Sequence, residues 1–148
     1  MKRMLSLQPL SREHRDILSF CWNIKQGIKN KTESTRLINY AKWFWDNQLK
    51  NHFEIEEKLL FPLLSQDNIL ISQSLLEHNA ISNMFENISA DKIVELQSKL
   101  YEHIRFEERT LYNEIQNSLK DEQLNKVGNL ISSKNTKCPL WIDKFWEV

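Results

Sequence analysis

Glycine and proline are scarce in this chain, with two glycines and three prolines among 148 residues. Sheet proteins need such residues at frequent turns and helical bundles need few, so an all-α architecture is expected. Cysteine is nearly absent as well. Cys21 and Cys138 are too few for a disulfide framework, which points to a reducing, cytoplasmic setting. There is no excess of charge of one sign: 20 basic residues balance 20 acidic ones. The basic residues are scattered, so the electrostatic footprint of a nucleic-acid or anionic-membrane binder is missing. No apolar run approaches the roughly 20 residues of a membrane span. The stretch Met1 to Gln8 also lacks the apolar segment of a signal peptide. The length suits one domain with a real core.

What is present is helical periodicity almost throughout. A first helix is expected to start at Ser11, acting as N-cap, with Leu10, His14, Ile17/Leu18, Cys21, Ile24 and Ile28 facing inward. A second runs from about Thr32 to Leu64, with Leu37, Tyr40/Ala41, Phe44, Gln48, His52, Ile55/Glu56, Leu59 and Leu63 on one face. Pro62 in its last turn should distort or end it. The third carries Ile71, Leu75, His78, Ser82, Phe85 and Ile88. The fourth, starting near Ser89, carries Ile93, Leu96, Leu100, His103, Glu107, Leu111, Ile115 and Leu119. A shorter helix over 121–132 and an aromatic tail with Trp141, Phe145 and Trp146 follow. The expectation is one domain over 1–148: an up-down-up-down four-helix bundle over about 10–119, with a C-terminal extension over about 120–148.

The chemistry lies in the histidines. There are four, one per expected bundle helix, and each falls on an inward stripe. Two of them open the same phrase: His52-Phe53-Glu54-Ile55-Glu56-Glu57-Lys58 and His103-Ile104-Arg105-Phe106-Glu107-Glu108-Arg109. This His-x-x-x-Glu-Glu-basic repeat stacks a histidine and a glutamate one turn apart on one face, as two ligands of one metal site require. The heights agree as well. His52 lies about 12 residues before the second turn and His78 about 11 after it, while His78 lies about 10 before the third and His103 about 12 after it. His14 lies about 16 residues before the first turn and His52 about 19 after it, so at 1.5 Å rise per residue the four histidines share one level of the bundle to within a turn. A lone buried histidine or glutamate is usually satisfied by a neighbour. Two buried carboxylates without positive partners are costly, and a pair of cations bridged by Glu56 and Glu107 would neutralise them. Imidazole and carboxylate donors suit Fe, Mn or Zn, and spacing does not choose among these.

The phrases Leu10-Ser11-Arg12-Glu13-His14, His52 to Pro62, Glu77-His78 and His103 to Glu108 resemble the hemerythrin-like (HHE cation-binding) family over about Ser6 to Leu119. The resemblance implies a carboxylate-bridged di-iron centre, with an oxo or hydroxo bridge, that takes O2, NO or peroxide at an open position. Its ligands would be His14, His52, Glu56, His78, His103 and Glu107. Oxygen-carrying members have a second histidine one turn after the helix-three histidine, where this chain has Ser82. The four-His, two-Glu set is closer to the branch that repairs iron centres, although members of that branch usually carry a further cysteine-bearing N-terminal domain.

Gln48 and Ser82 are expected in the layer next to the metals, where they would orient a small molecule or bond each other. Glu57, Lys58, Glu108 and Arg109 are expected on a solvated or ion-paired face. Cys21 reads as a small core residue, and Cys138 has no evident partner. The aromatic tail would seal either its own bundle or a dimer seam, so monomer and homodimer both remain open. Two function classes compete: a small-ligand-binding or redox di-iron protein, and a di-iron oxygenase or oxidase with an organic substrate. Iron delivery or iron-centre repair is a third.

Overall fold

The computed structural model describes residues 1–134 and 138–147, and every regular element among them is helical. Residues 135–137 and Val148 of the expected C-terminal extension lie outside the described residues. A 3-10 turn, Leu5–Leu7, leads into α1, Gln8–Lys29. The second helical run comprises α2 (Ser34–Phe44), a π-helical segment Trp45–Leu49, α3 (Lys50–Ile55), a second π segment Glu56–Leu60 and a 3-10 turn Phe61–Leu63. Next comes α4, Ile69–Glu86. A fourth run follows: a 3-10 turn Ala90–Lys92, α5 (Ile93–Phe106), a third π segment Glu107–Leu111 and α6 (Tyr112–Ser118). The last helix is α7, Asp121–Lys134. Among these, α5 packs on both α1 and α4, and α2 packs on α4. The last helix lies against the Leu5–Leu7 turn and the Glu56–Leu60 segment. No helix of the described residues is long and apolar enough to cross a membrane.

Local chemistry sets the helix ends. α1 begins before Ser11 because Pro9, with no N–H to satisfy and φ already helical, suits a first turn. Ser11 is therefore inside the helix and caps nothing; its hydroxyl donates to Glu108 Oε2 at 2.9 Å. The helix stops in a Schellman arrangement: Thr32 N–H bonds Gly27 O at 2.9 Å, Lys31 N–H bonds Ile28 O at 3.1 Å, and Lys31 takes φ 58°. Asn68 caps α4, its side-chain oxygen accepting from the Leu70 and Ile71 N–H groups. Pro62 lies in the closing 3-10 turn of the second run, as its missing donor requires.

Two apolar clusters flank the level of the four histidines. In α1, Leu10 belongs to one and Ile17 to the other, with His14 between them. In the fourth run, Leu100 and Ile104 belong to one and Leu111 to the other. Several inward positions differ from the regular α pattern. After Glu56 the buried residues are Leu60, Phe61 and Leu64, while Leu63 is exposed. The π segment at Glu56–Leu60 holds one extra residue in its turn and re-phases everything beyond it. In α4 the inward positions are Ser74 and Ile81, with Leu75 exposed and Ser82 half-buried.

The tail folds back on its own chain. Trp141 lies against Tyr40 and Trp43, and Phe145 meets the Tyr40 ring edge-on at 5.2 Å. Gly27 makes room for it, since a Cβ there would fall 2.6 Å from both Leu37 Cδ2 and Phe145 Cε1. Arg36 pairs with Asp143 to hold the segment down. Cys21 is a buried core residue and Cys138 is half-buried.

Candidate metal centre

Six side chains from four helical runs meet between the two apolar clusters. His14 comes from α1, His52 from α3, Glu56 from the segment after it, His78 from α4, His103 from α5 and Glu107 from the segment after that. None is more than 2 % exposed. They form two sets, His14/His52/Glu56/Glu107 and Glu56/His78/His103/Glu107, and within each set one donor atom per residue lies within 4.8 Å of the others. Both carboxylates belong to both sets. His14 Nε2 is 3.0 Å from Glu107 Oε1, and His52 Nε2 is 3.4 Å from Glu56 Oε1. On the other side, His78 Nε2 is 3.3 Å from Glu56 Oε1, and His103 Nε2 is 3.3 Å from Glu107 Oε2.

Every imidazole is turned by a carboxylate at its opposite nitrogen. Nδ1 of His14 donates to Glu108 at 2.9 Å, that of His52 to Glu13 at 2.8 Å, that of His78 to Glu57 at 2.6 Å and that of His103 to Glu77 at 2.7 Å. A proton held on Nδ1 leaves the Nε2 lone pair directed at the centre, as the second shell of metal-binding histidines commonly does. These bonds connect the helices in a ring. The Glu13-His14 and Glu77-His78 pairs act alike, as do the two Glu-Glu pairs, so the halves of the chain repeat each other around the centre. Glu57 and Glu108 are thus ion-paired, Glu57 from an exposed position on His78 and Glu108 from a half-buried one on His14, while Lys58 and Arg109 are exposed. Two hydroxyls complete the ring. Tyr112 donates to Glu56 Oε2 at 2.8 Å and Ser74 to Glu107 Oε2 at 2.9 Å.

The polar layer expected from Gln48 and Ser82 is placed otherwise. Gln48 is buried, but its amide donates to Asp16 Oδ2 at 3.0 Å rather than to Ser82 or the centre. Ser82 is only half-buried. Ser74, one turn before His78 instead of one turn after it, holds the polar place.

Three atoms of the cluster, His52 Nε2, Glu56 Oε1 and His103 Nε2, are buried without a hydrogen-bond partner. Lone pairs sealed from water and facing one another are expensive unless a cation joins them, so the residues present fit a bound metal. Protons compete for the same atoms. Burial alone would lower the His14 pKa, but its bonds to Glu107 and Glu108 and the charges of Glu107 and Glu56 outweigh this and raise it to about 10. Burial likewise opposes protonation of His78, and Glu107, Glu56 and Glu57 together raise its pKa to about 11. Burial would push the Glu107 carboxyl up, yet His103, His14 and His78 hold it well below its usual range. For Tyr112, burial and the charges of Glu56 and Glu107 all act upward.

A buried, paired His/Glu cluster in an all-helical chain defines a candidate cation-binding protein. The hemerythrin HHE cation binding domain matches residues 6–115, and the chain belongs to that family. No curated protein and no solved structure matches it.

Proposed function

We propose that this chain holds two ions side by side, iron in the native protein, and that it binds or redox-processes O2, NO or peroxide there. His14 and His52 would hold one ion and His78 and His103 the other, with Glu56 and Glu107 shared. The observation that carries this reading is the sharing of two buried carboxylates by two four-donor sets in which three donor atoms have no partner. Imidazole and carboxylate donors suit iron, manganese and zinc, and the family favours iron. The four runs are read as an up-down-up-down bundle, since the short connections between them suit antiparallel neighbours. The C-terminal helix and tail, packed on the rest, are read as parts of the same domain.

Bound iron would supply one-electron chemistry and a coordination position for a small ligand. The protein's own residues do the rest. Glu13, Glu57, Glu77 and Glu108 fix the imidazole tautomers, and the two apolar clusters keep bulk water out. Ser74 donates to Glu107 Oε2, and in the absence of an ion Tyr112 donates to Glu56 Oε2. A second reading, catalysis on an organic molecule, is favoured by a groove of about 490 Å³ that reaches Glu77 and His103 beside Ile81, Lys99 and Phe106. That is within the size range of small-molecule sites.

The test is metal analysis with optical spectroscopy on protein purified without air, reduced and then exposed to O2. Two irons per chain and a new absorption band that reverses on removing O2 are expected. Irreversible turnover would favour the second reading, and zinc or no metal after iron supplementation would contradict both.

A further inference from the structure

We propose that Tyr112 is a seventh donor of this centre, its phenol oxygen ligating the ion held by His14 and His52, so that the two ion positions are chemically unlike. The proposal rests on the two-ion reading above. Two ligands at right angles on one ion, with bonds of about 2.1 Å, stand about 3.0 Å apart. Tyr112 Oη is 2.8 Å from Glu56 Oε2 and 3.4 Å from His14 Nε2, the separations of a neighbouring ligand position. The ring is fully buried and stacks on His14 with centroids 4.9 Å apart, so the oxygen is fixed where it stands.

The backbone explains how it gets there. In a regular α-helix a residue five after Glu107 points about 140° away from it. The π segment Glu107–Leu111, closed by Tyr112 N–H on Glu107 O, takes in one more residue and removes about 100° of that difference. The other half of the chain is built the same way but lacks the oxygen. Phe61 follows Glu56 through the segment Glu56–Leu60 and stacks on His78 at 5.8 Å. The hydroxyl near His78 is that of Ser74, 3.5 Å from its Nε2. An aliphatic alcohol holds its proton far more tightly than a phenol and stays a donor to Glu107. One position is thus offered a phenol and the other an alcohol.

Coordination forms one metal–oxygen bond and releases the phenol proton to water, with no change of oxidation state. Without a cation the phenol keeps its proton and donates to Glu56; an ion at bonding distance reverses the local charge balance that holds it there.

The experiment is to load the protein and its Tyr112→Phe variant with ferric iron and record visible absorption and resonance Raman spectra. The parent should show a phenolate-to-iron charge-transfer band with enhanced tyrosine ring modes. Both should vanish in Y112F while two irons remain bound. Ring-deuterated tyrosine incorporated into the parent should shift those modes, a test that needs no variant to fold. Iron bound without any phenolate band, or a band that survives in Y112F, would overturn the proposal and leave the two-ion reading intact. Failure of both proteins to take up iron would overturn both.

Discussion

If the outer carboxylates act by aiming imidazoles, the effect of removing one should depend on what else holds its histidine. Glu13→Ala and Glu57→Ala make the comparison. Glu13 is 9 % exposed at its side chain and bonds His52 Nδ1 at 2.8 Å, so its removal leaves a buried N–H that water does not readily reach. Glu57 is 42 % exposed at its side chain, so water can take the place of its oxygen on His78. His78 is also clamped by packing, stacked on Phe53 at 3.9 Å and 12° with Phe61 on it at 5.8 Å. The rings nearest His52 are inclined, His14 at 60° and Phe53 at 55°. Loss of an outer-shell partner typically weakens metal binding about 10–100-fold, or about 1.4–2.7 kcal/mol. The full effect is expected for E13A and only about 2–5-fold for E57A, where solvent substitutes. Competition with a chelator of known affinity measures both. Equal losses, or a larger one for E57A, would refute the claim that these carboxylates work by orientation.

Two further perturbations follow from the same structure. In metal-free protein, His14 and His78 have pKa values raised from 6.5 to about 10 and about 11. Their contribution to stability is therefore fully present below about pH 6.5 and is lost as pH rises through 10 to 11. The lowered Glu107 contributes above its ordinary 4.5 and loses this as pH falls through its depressed value. Chelator-treated protein should thus melt lower at about pH 9 than at about pH 6. A flat or rising melting temperature would contradict the assignment. Replacing the buried Phe145 by alanine should cost about 3 kcal/mol, or roughly 6–12 °C in melting temperature. An unchanged melt would mean that the tail is not part of the folded core.

Much of the centre was legible in the sequence because it is written in α-helical spacing. His52 and Glu56, and His103 and Glu107, are four residues apart, which suffices to put each pair on one face. The regular period failed where the backbone leaves the α-helix. Leu59 and Leu63 gave way to Leu60, Phe61 and Leu64 because of the π segment at Glu56, and Tyr112 was invisible for the same reason beyond Glu107. Ser74 and Ser82 are both compatible with the α4 stripe at one turn from His78, and only packing chose between them. The outer ring was half visible. Its signal is the repeated doubling, Glu13-His14 with Glu77-His78 and Glu56-Glu57 with Glu107-Glu108, but adjacent helical residues point in different directions. A second glutamate can be understood as a partner only once the neighbouring helix is in place. Pairs such as Glu108 with His14, 94 residues apart, depend on the tertiary fold.

The most direct test of the central claim is anomalous X-ray diffraction at the iron edge from crystals of iron-loaded protein. Two anomalous peaks are expected, one among His14, His52, Glu56 and Glu107, the other among His78, His103 and the same two glutamates. A single peak, or iron located away from Glu56 and Glu107, would contradict the account.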